Sequence, residues 1–121
     1  IYKKYIFYYL RNKKKAPYLG SRFGQDIEPK GKYISIMSKK EIENFMEYLP
    51  VELRKNYETG KIAFCNPFFI EHDDWKLKLS KVYGNKKGRR LTLAIIRDGY
   101  DSIITLNRNE IVEAVDFTNF K

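Results

Sequence analysis

The chain is predicted to fold as an α+β domain, with strands at both ends and helices between them. Three observations carry this expectation. Residues 5–10 (YIFYYL) form an aromatic run of high β propensity. Ile42, Phe45, Met46 and Leu49 recur at helical spacing behind Ser38-Lys39-Lys40-Glu41, a capping-box sequence. Near the C-terminus, Asp98-Gly99 turns into a short strand through Ile103-Ile104, a polar turn follows at 107–109, and Val112, Val115 and Phe117 fit a last strand.

Taken in order, 5–10 is the first strand, broken by 13–17. Tyr18-Leu19-Gly20-Ser21 resumes an extended segment, and 22–30, with Gly24 and Pro29, reads as a loop. Residues 31–37 form the next strand, and Ser38 starts a helix that Pro50 stops. A second short helix over 51–57 is expected to end at Gly60, followed by a strand at 61–65 that buries Cys65. After the Asn66-Pro67 turn and the apolar Phe68-Phe69-Ile70, Asp73 or Asp74 caps a helix with Trp75, Leu79, Val82 and Tyr83 on one face. Residues 84–90 read as a basic loop. Residues 91–97 alternate like a strand in part, but Asp98-Gly99 is a natural helix terminus, so a helix is preferred there.

At 121 residues the chain is sized for one domain, 1–121. Its 43% hydrophobic and 32% charged composition excludes disorder, and no apolar run approaches the roughly 18 residues of a membrane span. No signal peptide is visible, and Ile1 suggests a start trimmed or excised from a longer chain. The single Cys65 fits a reducing compartment, so a cytoplasmic location is expected. The net charge of +9 concentrates at Lys13-Lys14-Lys15 and around Gly88 at Lys86, Lys87, Arg89 and Arg90. Such clusters suit nucleic acid, a dinucleotide or an acidic protein, or are solvated loops. No zinc-finger spacing and no RNP1-like motif is present. With His72 the only histidine, Cys-His and Ser-His mechanisms lack material. Consecutive side chains in Glu71-His72-Asp73-Asp74 point apart, so no metal site is expected there.

Several pieces recur together: Tyr18-Leu19-Gly20-Ser21, Gly31-Lys32-Tyr33-Ile34-Ser35, Asn66-Pro67, Trp75, Gly99-Tyr100-Asp101 before Ile103-Ile104, and Glu113 in Glu-x-Val-x-Phe. In this order they resemble a divergent ADP-ribosyltransferase domain of the kind found in phage and mobile-element polyvalent proteins and in bacterial toxins. The resemblance implies two small antiparallel sheets around a cleft, with two to four short helices. It implies NAD as substrate and transfer of ADP-ribose to a macromolecule, nucleic acid or an acidic protein, inside a bacterial or phage-infected cell.

It also implies roles. Cleaving the nicotinamide–ribose bond builds positive charge on the sugar, which the Glu113 carboxylate would stabilise. Tyr18, Gly20 and Ser21 would approach the nicotinamide, Tyr33 would stack on it, and Ser35 would hold the neighbouring strand. Arg22 or the 86–90 loop would meet the pyrophosphate. Leu19 stands where such domains carry Arg or His, and Ile111 where they often carry Glu or Gln, which argues against arginine as acceptor. Alternation puts Glu110 on the face opposite Glu113. The rival reading is an inactive relative that serves as a binding module or inhibitor through its basic surface.

Overall fold

The computed structural model describes residues 4–14, 27–118 and 120. The elements run β1 (Tyr5–Asn12), β2 (Lys32–Ile36), α1 (Lys39–Tyr48), α2 (Val51–Arg54), β3 (Tyr57–Phe64), β4 (Pro67–Glu71), α3 (Trp75–Val82), α4 (Gly88–Arg97), β5 (Ser102–Asn107) and β6 (Glu110–Asp116). The α+β class is as expected.

The two-sheet arrangement is corrected. The described residues form one six-stranded mixed sheet in the order β3-β1-β2-β6-β5-β4. A short antiparallel ladder, Tyr9 opposite Ile36 and Leu10 opposite Ser35, fuses the β3-β1 pair to the remaining strands. β4 joins β5 in parallel, because α3 and α4 carry the chain back across the sheet between them.

This order forces curvature. β3 and β4 are the two edges, yet only Cys65 and Asn66 separate them in the chain. Five inter-strand steps of about 4.8 Å would hold the edges about 24 Å apart in a flat sheet. Three Cα steps from Phe64 to Pro67 reach only about 11 Å. The sheet therefore curls, and the Tyr5 ring of β1 meets the Phe69 ring of β4 at 5.4 Å, although three strands lie between them in the order.

Alternation sorts the side chains onto two faces. The concave face holds Ile34, Phe64, Ile104 and Ala114, with Phe7, Tyr9, Ile36 and Ile62 against them. On the convex face, Ile103 and Val115 pack under Trp75 and Leu79 of α3 and under Leu91 and Ile95 of α4. Gly31 is needed at its position, since a Cβ there would lie 2.5 Å from Val115 Cγ1.

The capping box at α1 forms as expected: Glu41 N donates to Ser38 Oγ at 3.1 Å and Ser38 N to Glu41 Oε1 at 3.3 Å. Gly99, at φ 98°, follows α4 as expected. Other elements differ from expectation. Gly60 lies inside β3, because pairing with β1 over Tyr5 to Asn12 overrides its weak strand propensity. α2 is accordingly shorter. Gly88 starts α4, so Arg89 and Arg90 are helical rather than part of a loop. Asp74 precedes α3 at φ 53° and makes no side-chain cap bond, the left-handed backbone differing from the extended one a capping residue uses. Val82 is exposed, off the Trp75-Leu79-Tyr83 row. Cys65 is exposed, lying in the short link rather than within a strand.

Candidate functional site

Glu113 of β6 stands at the centre of a polar cluster. It pairs with Ser35 of β2 on one side and Thr105 of β5 on the other. Its side chain therefore shares the convex face with Ser35, Thr105 and, two pairs further along, Tyr33. Trp75 Nε1 donates to Glu113 Oε1 at 3.2 Å. His72 Nδ1 lies 3.9 Å from the same oxygen, an ion pair whenever the imidazole is protonated, and 3.0 Å from Thr105 Oγ1. Thr105 is fully buried and its hydroxyl also accepts from Glu113 N at 3.3 Å. The hydroxyl thus fixes the histidine ring and the glutamate backbone together.

A cavity of about 460 Å³ opens beside this cluster, lined by Glu113, His72, Trp75, Asp74, Lys76 and Leu77, with Ile27 at its edge. That volume suits a ligand of nucleoside size. Lys76 Nζ pairs with the buried Glu28 at 2.7 Å and lies 5.6 Å from the Tyr33 ring centre and 5.8 Å from that of Trp75. A carboxylate, an imidazole, an indole and an ammonium thus border one space. Carboxylate and imidazole can support sugar-cation stabilisation and proton transfer, while the buried indole anchors the carboxylate.

Tyr33 lies beneath this site, not on its wall. Its ring is 6.3 Å from Trp75 and its hydroxyl donates to Pro29 O at 2.6 Å. Burial, with the Glu28 and Glu113 carboxylates adding to it, pushes its pKa well above the ordinary range. Ser35 is exposed beside Glu113 in register. Tyr18, Leu19, Gly20, Ser21 and Arg22, and with them most of the expected NAD-binding segment, lie outside the described residues. Lys86 and Arg89 do not line this cavity; Lys86 Nζ donates to Tyr83 O at 3.2 Å, and Arg89 lies 5.2 Å from the Phe120 ring centre.

The expected placement of Glu110 opposite Glu113 is corrected. Thr105 faces Glu113 but Leu106 faces Ile111, so Val112 is an extra residue at a bulge. The pattern resets there, and Glu110, opposite Asn107, falls by register on the Thr105–Glu113 face. It is exposed and does not line the cavity.

His72 is the residue that sequence reasoning passed over. Its signal was its place just past an apolar strand: β4 and β5 run parallel, and ligand sites gather at the carboxyl ends of parallel strands. Among the described residues no three His, Cys, Asp or Glu side chains gather to hold a metal ion, and no helix is long and apolar enough to cross a membrane. Comparison with protein-family models, with curated proteins and with solved structures finds no match to this chain.

Proposed function

We propose that the chain is an NAD-binding protein that transfers ADP-ribose to a macromolecule, with Glu113 as the catalytic carboxylate. One observation carries this reading: Glu113, anchored by the Trp75 indole, borders a cavity of nucleoside size that His72 also lines. Cleavage of the nicotinamide–ribose bond needs negative charge against the sugar as its cationic character develops. Glu113 supplies that charge. His72, held by Thr105, is placed to take the proton of an attacking hydroxyl or amine of the acceptor. Lys76 lines the same cavity with its ammonium held by the buried Glu28.

The test is incubation with labelled NAD and candidate proteins, DNA and RNA. Glu113→Gln keeps shape and a hydrogen-bond acceptor for Trp75 but removes the charge. Transfer is expected to fall at least about a hundredfold with little change in NAD affinity, because charge stabilisation acts mainly in the transition state. Equal labelling by both proteins would remove Glu113 from catalysis. Absence of both labelling and an NAD-dependent rise in melting temperature would leave the binding-module reading in its place.

A further inference from the structure

We infer that the outer face of the α3–α4 layer is a docking surface for the phosphate backbone of nucleic acid. From Trp75 to Arg97 the chain carries eight Lys and Arg residues and no Asp or Glu. Against a net charge of +9 for the whole chain, this one stretch of 23 residues contributes +8. The helices bury Trp75, Leu79, Leu91 and Ile95 against the sheet, which turns Lys78, Lys81, Arg89, Arg90 and Arg97 outward, with Lys87 exposed at the start of α4. Lys78, Lys81, Lys87, Arg90 and Arg97 form no salt bridge among the described residues.

Folding gathers this charge onto one layer at a cost in self-repulsion, which Glu28 offsets at Lys76 and which Asp74 and Asp98 border only at the helix ends. A protein partner presents both signs, and complementary faces of mixed sign fix the register between the two. A face so largely of one sign carries no such register. It fits a ligand whose charge is uniform and repeats along its length, which is the chemistry of a phosphodiester chain. The same layer meets the Glu113 cavity, since Trp75, Lys76 and Leu77 line that cavity from the first turn of α3. A strand lying along α3 therefore passes the cavity mouth.

Binding is read without NAD, so that it stands or falls separately from ADP-ribose transfer. Fluorescence anisotropy would follow labelled single-stranded and duplex DNA and RNA, with poly-glutamate as the polyanion control, over a salt series. Nucleic acid is expected to bind tighter than poly-glutamate at every salt concentration, with affinity falling linearly on logarithmic axes. Reversal of Lys78, Lys81, Lys87 and Arg90 to Glu should weaken binding at least about tenfold and lower the salt slope by about one for each phosphate no longer neutralised. The same four changed to Gln give a milder version should the reversal fail to fold, and reversal at Lys13, Lys14 and Lys4 serves as the off-face control. Poly-glutamate binding as tightly as nucleic acid would make the face one for acidic protein and overturn the inference. So would the absence of binding at low salt, or a slope that the α3–α4 variants leave unchanged.

Discussion

The Trp75 indole N–H donates to Glu113 Oε1 across 3.2 Å, joining the first turn of α3 to the middle of β6. Trp75 is otherwise a core residue, 3% exposed and packed in the convex cluster. One side chain thus fills the core and aims the carboxylate. Trp75→Phe keeps most of the ring and removes the donor. Loss of the bond and the small void left behind are expected to cost about 2 kcal/mol, measured by urea unfolding. Under the proposed activity, kcat should fall more than KM rises, because Glu113 stays present but is no longer held.

Glu58 and Tyr9 predict a pH window. Tyr9 Oη donates to Glu58 Oε2 at 2.7 Å, and Lys32 Nζ lies 3.1 Å and Arg11 Nη2 3.5 Å from the same carboxylate. The tyrosine bond first, with the two cations behind it, lowers the Glu58 pKa from 4.5 to about 2 against the opposing effect of burial. Below 4.5 the unfolded chain takes up the proton before the folded one does. Stability present above that pH is therefore lost as pH falls towards 2. Burial and the Glu58 bond raise Tyr9 from 10.0 to about 12, so stability present below pH 10 is lost as pH rises through 12. The two shifts share one hydrogen bond and do not add. Glu58→Gln should flatten the acid limb and shrink the alkaline one, followed by melting temperature against pH.

Gly31 predicts a packing cost. Its missing Cβ would sit 2.5 Å from Val115 Cγ1 and 3.1 Å from the Phe117 ring, both in the convex core. Gly31→Ala is expected to destabilise the fold by about 1–3 kcal/mol through this overlap. Val115→Ala should recover part of that loss in the double variant, and a double-mutant cycle by urea unfolding measures the coupling.

The seam between the sheet edges predicts a loss at Asp101. Its carboxylate accepts from Cys65 N at 2.6 Å and Asn66 N at 3.2 Å, while Asn66 Nδ2 donates to Gly99 O at 2.9 Å. Asp101→Ala removes the acceptor of two backbone N–H groups at once. Water reaches the exposed link, so the expected cost is about 1–2 kcal/mol by chemical denaturation. Cys65, exposed in the same link, should then react faster with a thiol reagent than in the parent chain.

Local chemistry was legible in the sequence and long-range pairing was not. The Ser38–Glu41 box, the helical run over 91–97 ending before Gly99 and the hairpin through 102–116 depend on neighbours in the chain, and their residues announced them, although the helix begins earlier, at Gly88. Gly60 misled because the residues that hold it in a strand lie on β1, fifty positions away. The single sheet hid because its fusing ladder spans only two residue pairs. In the site, Glu113 was readable from its strand pattern, whereas its meeting with His72 follows from a parallel pairing created by the α3–α4 crossover. The bulge at Val112, which moves Glu110 to the other face, left no mark in the apolar alternation.

The two-residue link between β3 and β4 has a consequence for local opening. Edge strands are ordinarily the first to fray, each peeling from its single neighbour. Here the end of one edge is the beginning of the other, and Asp101 holds the junction to the body of the protein. Neither strand can lift its joined end without pulling on its counterpart across the curled sheet. In amide hydrogen exchange, β3 and β4 should therefore open near the link with a common free energy, although no ladder joins them, and Asp101→Ala should split that single opening into two.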